Sequence, residues 1–237
     1  MAATLEQIAA LNPGVNAIVS MPSADDLMAA AAAADKSAPR GPLHGLPIAI
    51  KDLADAQGLP TSQGSPIFAG QIAAQDSPHV ARLRAAGALI IGKTNTPEFG
   101  LGGQTYNPVH GVTVNPYDAA CTCGGSSGGA AVALACGMVS IADGSDMMGS
   151  LRNPAGWNNV YGMRPSWGRV PGDPEGDPIL HRLSTNGPMA RSPADLALQL
   201  DVMQAPGPFA SCHDSIPRPE ARARGAHIGW LGDWDGA

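Results

Sequence analysis

Aromatic side chains are scarce in this chain, at 4% of 237 residues. A core with so few rings must be closed by aliphatic side chains and alanine at short range, and 44% hydrophobic content suffices for that in one domain. Clusters of Lys and Arg are missing too, and with a net charge of −6 the chain lacks the electrostatic footprint of a nucleic-acid binder. No apolar run reaches the length of a membrane span, and no basic region followed by an apolar stretch opens the sequence. The expectation is a cytoplasmic protein with no membrane and no nucleic-acid partner. Cysteines are few, and Cys121, Cys123, Cys136 and Cys212 do not make two paired metal-ligand spacings. Free buried or partly buried thiols are therefore expected, with no metal and no other cofactor. What the chain has in quantity is glycine (30) and proline (22), the mark of a loop-rich fold. Disorder is excluded because apolar periodic segments persist throughout.

Periodicity and capping residues predict helices over residues 4–11, 23–35 (Ser23 as N-cap), 77–86 (Ser77 as N-cap, Val80 and Leu83 on the apolar stripe), 129–137 and 192–203 (Ser192 as N-cap, Pro193 in the first turn). Short apolar runs predict strands at 16–19, 47–51, 88–92 and 139–142, with another beginning at 228–230, and residues 171–178 read as loop. The 47–51 strand, the 77–86 helix and the 88–92 strand make a unit suited to parallel pairing.

The chemistry-bearing residues gather in two glycine-rich turns. Gly124-Gly125-Ser126-Ser127-Gly128-Gly129 is followed by Asp146-Met147-Met148-Gly149-Ser150-Leu151-Arg152-Asn153-Pro154-Ala155, so that Ser126 and Ser150 lie 24 positions apart across a short apolar helix. Glycine lets the backbone approach reacting atoms closely, and a serine hydroxyl can attack a carbonyl or relay a proton. Neither segment contains a base. Lys51, at the end of Pro47-Ile48-Ala49-Ile50-Lys51-Asp52, is the candidate.

In these three segments, in this order, the chain resembles the amidase signature enzymes, which hydrolyse carboxamides with a Ser-Ser-Lys arrangement. Their pattern is a strand ending in Lys-Asp, a Gly-Gly-Ser-Ser-Gly-Gly turn, then Gly-Ser/Thr-Asp-x-Gly-Gly-Ser-Ile-Arg-x-Pro-Ala. The likeness runs from residue 41 to 204 and takes in Gly41-Pro42-Leu43-His44-Gly45, Gly92-Lys93-Thr94-Asn95 and Gly187-Pro188-Met189-Ala190-Arg191. It implies an α/β fold, a mixed β-sheet flanked by helices. Family members are longer, so it also implies an N-terminal portion whose sheet is incomplete at the C-terminus. One amidase signature domain is expected over 1–237, with an N-terminal helical region (1–40), a catalytic core (41–171) and the start of a C-terminal part (172–237).

The resemblance further implies the chemistry. Ser150 attacks the amide carbonyl and passes its proton through Ser126 to neutral Lys51, which returns it to the leaving amine; water then cleaves the acyl-enzyme. The lysine must drop from about 10.4 toward neutrality, a cost of about 4 kcal/mol, and a carboxylate of Asp52 turned toward it would oppose the drop. A cis peptide before Ser126, at Gly125, aims that hydroxyl. Backbone N–H groups from Met147, Met148 and Gly149 to Ser150 form the oxyanion hole, Asp146 and Arg152 pair to brace the loop, and Ser127 supports the turn. The partner implied is a small-molecule amide, with a homodimer left open. The chain departs from the pattern at Met148, which replaces a glycine and would be strained at positive φ, at Asn158-Asn159 in place of Cys-Gly, and at Met163-Arg164-Pro165-Ser166 in place of Leu-Lys-Pro-Thr.

Other readings compete. A catalytically impaired scaffold, or an amidotransferase subunit supplying ammonia to partner subunits, fits the same resemblance. Gly125-Ser126-Ser127-Gly128-Gly129 also satisfies G-x-S-x-G, which would make Ser127 the nucleophile of an α/β-hydrolase with His181, His213 or His227 and Asp201 or Asp214 downstream; no strand is expected just before the turn, and Lys51 and Ser150 go unexplained. Gly87-Ala88-Leu89-Ile90-Ile91-Gly92-Lys93-Thr94 satisfies the phosphate-loop pattern. Its apolar centre reads as a strand after a helix, the reverse of the order that phosphate binding needs.

Overall fold

Side-chain alternation along the central strands sorts the core into two layers. The structure, a computed structural model, describes residues 1–172, 183–205, 225 and 227. In β2 (Pro47–Lys51) Ile48 and Ile50 join one apolar cluster and Ala49 the other, as the two-residue period of a strand requires. Strands β6 (Ile141–Asp146) and β8 (Thr185–Ala190) repeat the division with Ile141 against Ala142 and Ala190 against Met189. One layer is covered by helices α3 (Pro78–Ala85) and α6 (Pro193–Met203), through Val80, Leu83, Leu200 and Met203. The opposite layer is covered by α4 (Gly128–Ala135), with Ile8 of α1 (Ala2–Val15) and Leu27 of α2 (Ala24–Asp35) behind it. Val80 and Leu83 are wholly buried and each stabilises the fold by about 2 kcal/mol.

Six strands form one mixed sheet. With β1 (Ile18–Ser20), β3 (Leu89–Thr94) and β7 (Tyr161–Gly162) the order is β1-β3-β2-β6-β8-β7. The β3-β2-β6 centre is parallel, and β1, β8 and β7 pair antiparallel at its flanks. The expected parallel unit is β2-α3-β3. A separate two-stranded hairpin joins β4 (Tyr106–Asn107) to β5 (Gly111–Val112), and a short helix α5 (Arg152–Trp157) follows the second glycine-rich turn. The mixed α/β sheet flanked by helices is thus as expected.

Element boundaries differ from expectation where tertiary pairing outlasts the apolar run. Strand β3 continues through Lys93 and Thr94, which pair with Ile50 and Lys51, and β6 starts at Ile141 and runs to Asp146 against Thr185. Helix α1 is longer than expected and ends at Asn16, whose left-handed φ of 52° closes it, so β1 starts two residues later. Ser77 does not cap α3 with its side chain; its Oγ accepts the Asp55 N–H at 3.0 Å instead. Ser23 and Ser192 do cap, accepting from Asp26 and Asp195. Strands β7 and β8 and helix α5 carry no apolar run long enough to signal them. Residues 173–178 of the expected loop and the strand at 228–230 lie outside the described residues.

Cys123 is buried and Cys136 half-buried, but Cys121 is exposed, contrary to expectation, because it sits on a turn with its thiol donating to Asp118 Oδ2 at 3.3 Å. Cys212 lies outside the described residues. Among the described residues no helix is long and apolar enough to cross a membrane.

Candidate active site

Lys51 comes two residues after Ala49, so the pleat of β2 sends it to the α4 side of the sheet. The side chain is 1% exposed, and its Nζ donates to Ser126 Oγ at 2.7 Å, Ser127 Oγ at 2.9 Å and Ser145 Oγ at 3.1 Å. Burial lowers its pKa to about 7, against the raising fields of Asp143 and Asp146. Asp52 does not contribute. Its carboxylate accepts from Ser62 N–H and Oγ and faces Lys93 and His110, so the acid next to Lys51 in the chain points elsewhere.

The turn that meets Lys51 is shaped by close backbone packing. The Gly125–Ser126 peptide is cis, as the resemblance implies, and α4 begins directly after Ser127. A Cβ on Gly129 would strike the backbone of Asn95 and Ala17, which explains why α4 opens on glycine and can lie against the sheet. Gly144 makes the same allowance from β6, since a Cβ there would reach within 2.7 Å of Ser127 Oγ. Ser127 is fully buried; its Oγ donates to Ser145 O at 3.3 Å and accepts from Ser145 N and Lys51 Nζ, while its N–H donates to Ser150 O at 3.3 Å. That hydroxyl joins the turn to β6. Ser126 Oγ, by contrast, has Lys51 as its only hydrogen-bond partner among the described residues.

The loop after β6 is organised by Asp146. Its carboxylate accepts from Gly149 N at 2.8 Å and Leu151 N at 3.0 Å, from Arg152 Nε at 3.0 Å and Nη2 at 3.1 Å, and from Arg164 Nη1 at 3.0 Å. Arg164 also bonds the Asp146, Met147 and Leu183 carbonyls. Burial alone would push the Asp146 carboxyl up, but these bonds outweigh it and hold the group well below the usual carboxylate range. One expected oxyanion donor is therefore committed: the Gly149 N–H points at Asp146. The N–H groups of Met147, Met148 and Ser150 have no partner among the described residues. Met148 escapes backbone strain, because the left-handed residue is Gly149 (φ 122°) and the Met148 side chain, 87% exposed, turns outward. Ser150 is half-buried beside this loop.

Three contributors carry no signal that sequence reasoning picks up: Ser145 as a lysine partner, Arg164 as a brace, and Asp143. Asp143 follows Ala142, where the apolar run of the strand stops, so nothing local marks it. Lys93 lies on the opposite side of the sheet from Lys51, bonded to Ala54 O at 2.7 Å and Thr61 Oγ1 at 2.9 Å, inside a strand and buried. It offers no phosphate cradle. A cavity of about 530 Å³ lies beside the site, lined by Pro97, Phe99, Leu101, Gln104 and Tyr106 among others. Gly100, in the same loop as the lining residues Phe99 and Leu101, approaches the site: a Cβ there would stand 3.6 Å from Ser126 Oγ.

With this geometry in view, residues 1–228 match the protein family described as Amidase. The chain belongs to the amidase family. It is 45% identical over 215 residues to indoleacetamide hydrolase from Bradyrhizobium diazoefficiens, covering 87% of this chain and 41% of that protein. It is 40% identical over 217 residues to a subunit of glutamyl-tRNA(Gln) amidotransferase from Thermus thermophilus, covering 91% and 44%. Among solved structures, a bacterial aryl acylamidase of the amidase signature enzymes superposes with a TM-score of 0.80 at 35% identity, covering 86% of this chain and 44% of that one. The chain thus spans less than half the length of these relatives. The amidase family match runs against the α/β-hydrolase fold that the Ser127 reading requires, and Ser127 itself is buried with its Oγ bonded to Ser145 of β6. The Asn158-Asn159 departure is accommodated: Asn158 Nδ2 donates to Cys123 O and Pro154 O at 2.7 and 2.8 Å, and Asn159 holds the φ of 53° that asparagine tolerates better than most residues.

Proposed function

We propose that this amidase-family chain carries the machinery for hydrolysing a small-molecule carboxamide to a carboxylate and ammonia or an amine. The observation that carries the reading is the 2.7 Å contact between Lys51 Nζ and Ser126 Oγ, with Ser150 tied to the same turn through the Ser127 N–H. Ser150 Oγ attacks the carbonyl carbon and gives its proton to Ser126, which gives its own to the free amine of Lys51. The tetrahedral oxyanion is met by unpartnered N–H groups of the 147–150 loop, where losing one donor typically costs on the order of a hundredfold in rate. Collapse expels the amine, protonated by the reverse relay, and leaves the acyl group on Ser150. Water, deprotonated along the same route, releases the carboxylate. Every group required is an ordinary side chain or a backbone amide.

The test is labelling of the purified chain by a fluorophosphonate probe, with peptide mapping, in wild type, Ser150→Ala, Ser127→Ala and Lys51→Ala. Adduct on Ser150 that falls sharply in Lys51→Ala supports the relay. Adduct on Ser127 overturns the assignment, and folded wild type that takes no label points to a scaffold. A second reading, as the amidase-like component of an amidotransferase, is favoured by the 40% identity to such a protein. It predicts label on Ser150 with hydrolysis of glutamine in place of other amides.

A further inference from the structure

Beyond Ala49 and Ala142 the pairing of β2 with β6 stops, although β2 runs on to Lys51 and β6 to Asp146. The Lys51 N–H, on the edge of β2 that faces β6, is taken by a side chain: Asp143 Oδ1 accepts it at 2.6 Å. The other carboxylate oxygen, Oδ2, stands 2.9 Å from His79 Nε2. His79 comes from α3, on the sheet face opposite α4, and its Nδ1 stands 3.2 Å from Asn186 Nδ2 of β8. An amide nitrogen can only donate, so Nδ1 is the acceptor, Nε2 carries the hydrogen, and that hydrogen goes to Asp143. Asp143 is 1% exposed and His79 wholly buried.

Two facts make this chain of contacts more than packing. Asp143 and Asp146 are the two carboxylates whose fields act on Lys51, and that of Asp143 is the larger. Asp146 is bound by two guanidinium groups, which offset its charge. Among the described residues Asp143 has no guanidinium; besides Lys51 on β2, the charged or titratable groups facing it there are His79 on α3 and Lys93 on β3. A buried carboxylate with so little compensation acts on the ammonium groups around it, Lys51 among them. The same residue holds the lysine backbone by a charge-assisted bond where the sheet has parted.

We infer that Asp143, clamped by His79 and Asn186, is a positioning residue for Lys51: it fixes the end of β2 at the gap in the sheet and supplies the negative charge that opposes loss of the lysine proton. Burial lowers the proton affinity of Lys51, and Asp143 returns part of it. The inference rests on the reading of Lys51 as the base, but its consequence for Lys51 is measurable without turnover.

The chain has three lysines, Lys36, Lys51 and Lys93, so the 13Cε resonances of a lysine-labelled sample can be followed one by one through a pH titration. Lys36→Arg and Lys51→Arg samples assign them. In Asp143→Asn, an isostere, the Lys51 midpoint is expected to fall from about 7 by roughly one pH unit, as for loss of a nearby opposite charge. An unmoved midpoint in folded Asp143→Asn overturns the inference. Should that variant fail to fold, wild type decides: a downfield, slowly exchanging Lys51 amide proton with His79 as the Nε2–H tautomer supports the clamp. A freely exchanging Lys51 amide or an Nδ1–H imidazole overturns it. Probe labelling separates the two claims. A shifted midpoint without label on Ser150 leaves the clamp standing and removes the amidase reading, whereas label on Ser150 with an unmoved midpoint does the reverse.

Discussion

Lys51 Nζ and Ser126 Oγ stand 2.7 Å apart, both out of reach of bulk water, and the serine has no second partner among the described residues. A hydroxyl in that position can pass its proton to the amine only when the amine is free. With the Lys51 pKa lowered to about 7, the rate of Ser150 labelling should rise with pH through neutrality and level off above it. A rate independent of pH from 5 to 9, on the order of two units either side of that midpoint, would show that Lys51 is not the base.

The same shift makes a stability prediction of definite sign. Folded Lys51 titrates near 7 and unfolded lysine near 10.5, so between those values the unfolded chain binds more protons and stability rises with pH. The stability that Lys51 contributes is present above about 10.5 and is lost as pH falls toward about 7. The full span corresponds to as much as roughly 4 to 5 kcal/mol. Lys51→Met should lack this slope, and urea unfolding of both proteins at pH 7 and pH 10 reads the difference directly.

Asp146 holds two loop amides and two arginines with one carboxylate. Asp146→Asn should lower stability at neutral pH by about 1 to 3 kcal/mol, discounted because both arginines reach solvent, and should abolish labelling of Ser150 by releasing its loop. Because the folded carboxyl titrates below its ordinary range, its contribution is complete above the unfolded pKa and is lost as pH falls through the folded one. The gap between wild type and variant should therefore narrow as pH falls below the unfolded value, which thermal melts at pH 7 and pH 3 would reveal.

Met148 stands where the family pattern has glycine, yet it is not left-handed and its side chain faces solvent. Met148→Gly should change stability by no more than about 1 kcal/mol, the backbone entropy of an added glycine, and should leave Ser150 labelling intact. Gly149→Ala, at φ 122°, should impair both. Equal damage from the two substitutions would mean that the loop needs a side chain at 148.

Much of the site is legible in the sequence because its residues sit in short contiguous segments. Lys51 ends an apolar strand run, and Ser126 and Ser150 lie in glycine turns whose order and spacing carry the family likeness. The Asp146–Arg152 pair is readable for the same reason, being six residues apart. Harder to see is the fate of the Gly149 N–H, because whether an amide is free depends on where the Asp146 carboxylate turns. Strand ends are hidden for a related reason: Lys93, Thr94 and Asp143 are polar, yet they extend β3 and β6 because their neighbours supply ladder partners.

The sequence by itself determined which chemistry is available. The alternation of Ile48, Ala49, Ile50 and Lys51 obliges the lysine to face away from the isoleucines, and the glycines at 128, 129 and 144 permit close approach, since both follow from chain geometry within a few residues. Only the tertiary structure decided that the lysine would meet three hydroxyls, that Asp52 would turn to Lys93 and Asp143 to Lys51, and that the sheet would part between β2 and β6. Those outcomes depend on the register of strands far apart in the chain. A buried charge takes whichever partner that register brings within bonding distance.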